Sequence, residues 1–189
     1  MNFKITALAL TCAVALSACG NEPAQDTTPT AAAPAASAPP AEAPAAPATA
    51  PAADGKPAAV VSDCATSIEG SDAMQFNVGA ITVPASCSEF TITLTHTGQM
   101  PVAAMGHNVV IGAASDREAI ATDGMAAGVE GNYVKADDAR IIAHTKLVGG
   151  GESTSVTFPV STIQGAGTYE FFCSFPGHWA IMKGTIQVG

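Results

Sequence analysis

The chain has 189 residues, of which 7 are basic and 16 are acidic, so its formal net charge is -9 at pH 7. A strongly acidic surface is repelled by nucleic-acid phosphates and by anionic lipid headgroups, which excludes both as general partners. Residues 62–189 are sufficient for one domain with its own hydrophobic core.

The N-terminus has the pattern of a bacterial secretion signal. Lys4 precedes an apolar run over residues 5–16, which is too short to anchor a chain in a membrane and has the length of a signal-peptide core. The run ends in LSAC, which resembles the lipobox of bacterial lipoproteins, where the cysteine is acylated and becomes the mature N-terminus. We expect a signal peptide over residues 1–18 and a lipid anchor, including palmitate, on Cys19. The alternative is an ordinary secretory signal in which Cys19 is incidental.

The residue after this cysteine indicates the location. It is Gly20, so no acidic inner-membrane retention signal follows the lipobox. We therefore expect the outer membrane of a Gram-negative cell, and the sequence leaves open whether the protein faces the periplasm or the surface. Removal of Lys4 with the signal changes the net charge from -9 to 6 minus 16, or -10.

Residues 19–61 separate the anchor from the domain. Residues 23–59 contain 17 alanines and 9 prolines and no large apolar side chain, so little surface can be buried to offset the entropy of ordering. Proline interrupts helices and favours polyproline II, in which the tract would reach on the order of 100 Å. We expect a disordered tether.

The rest of the chain has the pattern of an all-β domain. Strand-like runs separated by Gly-rich breaks suggest a two-sheet antiparallel sandwich. The runs are TITLTH (91–96), TFPV (157–160), YEFF (169–172) and GTIQV (184–188). Residues 115–125 differ from them, because Ser115 or Asp116 could cap a short helix there before Gly124 and Gly128 interrupt it.

Two segments carry metal-binding side chains. The sequence CSFPGHWAIM places Cys173, His178 and Met182 on one short loop, and AMGHNVV contains His107. Thiolate, imidazole and thioether are the donors of a mononuclear blue-copper site. Structural zinc usually uses two or more cysteines, and calcium or magnesium sites use carboxylates. Taken singly, Met182 or His107 is more often a core or surface residue, but their joint spacing favours copper.

These segments resemble azurin, a bacterial cupredoxin. The runs AMGHNVV, TDGMA, ARIIAHTKL, SVTFPVS and FFCSFPGHWAIMKGT occur in the order of that family, so the likeness extends over residues 62–189. It implies a Greek-key sandwich of about eight strands, some of them paired in parallel, with one short helical flap and with the copper loops clustered at one end. It also implies one copper ion held by Gly106, His107, Cys173, His178 and Met182, of which Met182 is a distant axial donor and Gly106 offers its carbonyl.

The resemblance has further implications for cysteine and tryptophan. The family has a disulfide at the positions of Cys64 and Cys87, whereas the alternative is two reduced, buried cysteines. Val109 stands where many azurins bury a tryptophan, and Trp179 follows the second histidine ligand instead.

The expected function is one-electron transfer to redox proteins such as cytochromes or copper reductases and oxidases. The resemblance implies an apolar patch around the exposed edge of His178, and we predict that Trp179 lies beside it and assists docking. The patch residues are Met100, Ala104, Met105, Met125, Phe175, Pro176, Ala180 and Ile181. The Ala/Pro tract resembles that of lipid-anchored neisserial azurins only in composition, and a passive spacer is the default.

Two other functions compete with this interpretation. A copper nitrite reductase needs a second metal site, and only His96 and His144 remain after the two histidine ligands, too few for a three-histidine centre. We therefore expect no enzyme activity. A surface lipoprotein that binds copper or gives protection against copper or peroxide is the remaining alternative, although storage would favour several accessible sulfur sites.

Overall fold

The structure is a computed structural model that describes residues 55–189. The predicted signal peptide, the predicted lipidation site at Cys19 and most of the predicted tether fall on residues 1–54 and lie outside the described part.

Ten strands in residues 55–189 form two five-stranded sheets. In chain order they are β1 (Val61–Ser62), β2 (Ala65–Ser71), β3 (Gln75–Phe76), β4 (Ala80–Val83), β5 (Glu89–His96), β6 (Val110–Ala113), β7 (Ile141–His144), β8 (Ser153–Pro159), β9 (Tyr169–Phe172) and β10 (Lys183–Val188). Because β1 and β3 have two residues each, eight strands are longer. The prediction of a two-sheet sandwich of about eight strands is confirmed.

The pairing is mixed within each sheet. The first sheet has the order β1-β2-β5-β8 with β3 beside β2, and the second has the order β4-β10-β9-β6-β7. The pairs β2–β5 and β4–β10 are parallel, and the others are antiparallel. Parallel neighbours cannot be joined by a tight hairpin, and the chain between β2 and β5 passes through β4 in the second sheet.

The alternation predicted for β5 is present. Phe90, Ile92 and Leu94 point into the core and have no exposed surface, whereas the threonines between them point outward. Three hydroxyl pairs link this outer face to β8 at 2.8 to 2.9 Å, namely Thr91 with Thr157, Thr93 with Ser155, and Thr95 with Ser153. Because buried and outward-facing residues alternate along β5, this alternation fixes which face of the strand packs on the core.

A short helix covers the outer face of the second sheet. Before it, α1 (Val102–Met105) forms a single turn, and α2 (Arg117–Gly124) is followed by a 3₁₀ turn at Met125–Ala127. The helix begins after Asp116 as expected, but the Asp116 side chain makes no capping hydrogen bond. Ile120 is fully buried on its inner side. Within the described residues, no helix combines the length and apolar character needed to cross a membrane.

The folded part begins earlier than the boundary predicted at residue 62. Gly79 N–H donates to the carbonyl of Pro57 at 2.9 Å, and Ala59 N–H donates to the carbonyl of Ala80 at 2.8 Å. Composition placed these residues in the tether because alanine and proline carry little apolar surface, but their backbone groups pair with β4.

The predicted disulfide is confirmed. Cys64 and Cys87 are bonded, and their Cα atoms are 5.7 Å apart. Cys64 directly precedes β2, whose other end pairs at Gly70 with His96. The disulfide and His96 therefore lie at opposite ends of this strand.

Replacing both cysteines, Cys64→Ala with Cys87→Ala, should lower the free energy of unfolding by about 3 kcal/mol, because the unfolded chain loses a covalent loop closure. Denaturant titration monitored by circular dichroism measures the change. The absorption of bound copper should be unaffected because the disulfide is remote from the ligands. Loss of copper binding by the folded double variant would contradict that separation.

Candidate metal centre

The metal-binding side chains lie on loops at one end of the sandwich. His107 lies between α1 and β6, Cys173 follows β9, and Met182 directly precedes β10, with His178 on the loop between them. Because β6, β9 and β10 are neighbours in one sheet, these loops are adjacent. The fold thereby joins segments that are more than sixty residues apart in sequence.

Three of these side chains form one buried cluster. His107, Cys173 and His178 have ligand atoms that all lie within 4.8 Å of one another, and no other His, Cys, Asp or Glu cluster of this kind occurs in residues 55–189. The exposed fractions are 0%, 0% and 3%. Cys173 Sγ lies 3.6 Å from His178 Nδ1 and 3.9 Å from the carbonyl oxygen of Gly106.

The His107 imidazole is oriented as a metal ligand. Its Nε2 lies 2.9 Å from the carbonyl oxygen of Ser71, which can only accept, so Nε2 carries the proton and donates. Nδ1 is then unprotonated, and it is buried without a hydrogen-bond partner. Because buried polar atoms normally have partners, this free lone pair beside a thiol and a second imidazole fits a soft metal ion.

Met182 lies beside this imidazole. It is fully buried, and its Cε and His107 Cδ2 lie 2.9 and 2.8 Å from the position that a Cβ atom on Gly70 would occupy. The missing side chain of Gly70 therefore leaves room for both groups. The structure brings Met182 and the Gly106 carbonyl to the ligand cluster, and their roles as axial donors stay predictions.

A hydrogen-bond network that the sequence analysis missed joins the two ligand loops. The Asn108 amide nitrogen donates to Ser174 Oγ at 2.8 Å and to the carbonyl of Asn132 at 2.9 Å. The Asn108 amide oxygen accepts from Ser174 N–H at 2.9 Å. Asn108 directly follows His107, and Ser174 directly follows Cys173. This adjacency in the sequence is the signal that could have indicated their role. The network holds His107 and Cys173 in register.

Burial changes the protonation behaviour of the site. Desolvation raises the pKa of the Cys173 thiol to about 12, against the opposing effect of the Asn108 and Phe175 backbone amides. Desolvation, followed by the charges of His107 and His96, lowers the pKa of His178 to about 4. Without metal the site therefore holds a thiol and a neutral His178 at neutral pH, and a bound cation must displace the thiol proton.

His96 and His144 are not part of the ligand cluster. His96 is buried and stacks on His107 with ring centroids 4.3 Å apart, and its Nε2 lies 2.8 Å from the carbonyl oxygen of Met105. His144 is exposed at the end of β7.

The predicted apolar patch is partly exposed. Met100, Met125 and Ile181 expose 39%, 56% and 52% of their surface. Ala104 and Ala180 are also exposed, Met105 and Pro176 are half-buried, and Phe175 is buried with its ring centroid 4.6 Å from that of His178.

The contacts of Trp179 support local packing of its ring. Trp179 is half-buried against the apolar cluster beneath α2, which includes Ile120 and Phe172. The guanidinium carbon of Arg117 lies 5.9 Å from the ring centroid, and Arg117 also pairs with Glu170. These contacts favour a role in fixing the loop after His178 over the predicted role in docking.

A buried thiol and two imidazoles at one end of a two-sheet β sandwich define a mononuclear copper protein of the blue-copper class. The family model described as "Copper binding proteins, plastocyanin/azurin family" matches residues 62–189. Azurin of Alcaligenes faecalis is 61% identical over 126 residues, covering 67% of this chain and 98% of that protein. Azurin-2 of Alcaligenes xylosoxydans xylosoxydans is 56% identical over 128 residues, covering 68% and 99%. Azurin of Pseudomonas aeruginosa is 52% identical over 127 residues, covering 67% and 99%.

The chain therefore belongs to the plastocyanin/azurin family. The prediction of one copper ion is confirmed by this membership and by the cluster of His107, Cys173 and His178. Family membership also supports a copper electron carrier.

Met182→Leu tests whether the Met182 thioether is a weak axial donor. The variant should still bind copper and remain blue, and its reduction potential should rise because a thioether that stabilises Cu(II) is removed while the pocket stays apolar. Voltammetry and visible absorption measure both quantities. Loss of copper binding in this variant would show that Met182 is a strong ligand.

The stability of the metal-free protein should depend on pH. The pKa of His178 is about 4 in the folded state and 6.5 ordinarily, so the unfolded chain binds more protons between these values. Stability should fall as the pH is lowered from about 6.5 to about 4, by up to about 3 kcal/mol, and burial of His107 acts in the same direction. Denaturant titrations across this range measure the slope. His178→Gln should reduce this slope, and an equal slope in that variant would refute the assignment of the pH dependence to His178.

Proposed function

We propose that the protein is a membrane-anchored one-electron carrier facing the periplasm or the cell surface. The observation that carries this function is the buried cluster in which His107 Nδ1 has no partner beside Cys173 and His178. A copper ion bound there supplies a one-electron couple between Cu(II) and Cu(I). With one thiolate and two neutral imidazoles the site carries a net charge of about +1 with Cu(II) and about zero with Cu(I), and this low charge limits the cost of burial in both states.

The protein holds the ligands in one arrangement. The Ser71 carbonyl fixes the His107 ring, and the Asn108 side chain fixes the segment after Cys173. His178 N–H donates to Phe175 and Met182 N–H donates to His178, so the last loop is a tight hydrogen-bonded turn. Since these partners do not depend on the metal's charge, little has to move when an electron is gained or lost.

The exposed apolar residues support transient docking. Met100 shortly precedes the turn that leads to His107, Ile181 directly precedes Met182, and Met125 begins the 3₁₀ turn after α2. Electron-transfer interfaces are small and weak, so a modest apolar area suits contact followed by rapid release. We propose cytochromes or copper reductases and oxidases as partners.

The LSAC sequence supports lipid attachment at Cys19, and Gly20 after it supports location in the Gram-negative outer membrane. The acidic chain does not favour direct binding to anionic lipids, so acylation would supply the attachment. A copper-storage lipoprotein is less well supported because the described ligand cluster is single and buried.

Ile181→Asp tests the docking surface. A carboxylate in the patch must be desolvated on contact and repels its counterpart on a second molecule, so electron self-exchange should slow by roughly tenfold. Nuclear magnetic resonance line broadening in mixed Cu(I)/Cu(II) samples measures the rate. Val60→Asp is the matched control because Val60 is 86% exposed at another site. Equal self-exchange rates in the two variants would show that the apolar patch is not part of the interface through which electrons are exchanged.

Cys19→Ser tests the anchor. The variant should not incorporate radioactive fatty acid, and it should leave the outer-membrane fraction, either released in soluble form or retained as an unprocessed precursor in the inner membrane. Unchanged labelling and fractionation would contradict lipid attachment at this cysteine.

A further inference from the structure

Residues 57–62 form an edge strap that precedes the region matched by the family model, except for Ser62. Gly79 N–H donates to the carbonyl of Pro57, and Ala59 N–H donates to the carbonyl of Ala80, so the first half pairs with β4 in the second sheet. The second half is β1, in which Val61 pairs with Thr66 of β2 in the first sheet. The edge strap therefore connects the two sheets along one side of the sandwich.

The edge strap is packed as a strand. Ala59 and Val61 are partly buried against the main core, whereas Val60 between them is 86% exposed. The Thr66 hydroxyl donates to the carbonyl of Val60 at 2.7 Å. This alternation means that inward and outward substitutions at neighbouring positions should have different effects.

The register shows where the edge strap starts. Ala80 pairs in parallel with both Ala58 and Thr185, so Pro57 is level with Gly184, two residues after Met182. At about 3.3 Å per residue, Pro57 lies within roughly 7 Å of the level of Met182 along the strand axis. The edge strap then runs toward Cys64 at the opposite end. The preceding chain therefore joins the domain at the copper end.

We infer that the edge strap presents the copper end of the domain to the membrane that holds the N-terminal anchor. The apolar patch around His178 then meets a redox protein that is confined to that membrane. This rests on the lipid anchor of the proposed function. Pairing with β4 fixes the point at which the anchored chain enters the domain, and that point is level with the copper end. Without the edge strap, that point would move to Cys64, about 20 Å away along β2.

A pair of neighbouring variants tests this orientation. The full lipidated, copper-loaded protein is placed in phosphatidylcholine vesicles that contain a lipid with a ferrocene headgroup. Val61→Asp buries a charge and should detach the edge strap, so electron transfer from the vesicle-bound ferrocene should slow roughly three- to tenfold because the effective concentration falls. Val60→Asp should leave that rate unchanged, and a water-soluble ferrocene should react equally with both variants. Equal vesicle rates for the two would overturn the orientation.

A distance measurement keeps the test decisive if Val61→Asp does not fold. Nitroxide labels are placed separately at Lys56→Cys and Ser62→Cys in the otherwise unchanged full chain, and pulsed electron paramagnetic resonance measures their distance to Cu(II). The label at position 56 should be closer to copper than the label at position 62. The reverse order, or a broad unresolved distribution at position 56, would overturn the role of the edge strap.

Vesicle flotation separates this inference from the anchor. If no variant floats with the vesicles, the anchor and the membrane-facing orientation both fail, whatever the distances show. If all variants float and the two distances are reversed, the anchor stands and the edge strap has no role in orientation.

Discussion

The burial of one thiol and two imidazoles is the constraint on which the rest of the structure depends. His107, Cys173 and His178 are almost inaccessible to water, and desolvation acts against the charged form of each. Such groups are stable together only if a cation balances the thiolate or if all three remain neutral. The hydrogen bond from His107 Nε2 to the Ser71 carbonyl selects the tautomer that leaves Nδ1 free. The protein thus prepares a metal site and does not merely tolerate three polar residues in its core.

The β sandwich provides the rigidity that such a site needs. Two of the ligand loops start or end on adjacent strands, and the Asn108 amide joins them through Ser174. Gly70 contributes by lacking a side chain, since a Cβ atom there would contact both His107 and Met182. The fold and the site therefore depend on the same few loops. A carrier with this construction can change charge while its ligands keep their backbone and side-chain partners.

Much of this could be predicted from the sequence where the signal is local. The alternation of β5 follows from periodicity, and the copper site follows from four donor residues in two short motifs. The helix begins after Asp116 as its capping preference predicts, although the Asp116 side chain makes no capping hydrogen bond. Contacts that depend on distant backbone could not be predicted. The Ser71 carbonyl, 36 residues from His107, has no side-chain signature. Composition also concealed the edge strap, because backbone pairing with β4 orders residues whose side chains bury little surface. The ring of Trp179 packs under α2 because Arg117 and Ile120 are brought there by the tertiary fold.

The most direct measurement is the visible and electron paramagnetic resonance spectrum of the protein loaded with one equivalent of Cu(II). A thiolate ligand in a trigonal site predicts an intense blue absorption and a narrow copper hyperfine splitting. Cys173→Ser should lose both features while circular dichroism shows that the sandwich, with its Cys64–Cys87 disulfide, is retained. A colourless wild-type protein after stoichiometric loading, or a blue Cys173→Ser variant, would contradict the assignment of the copper site.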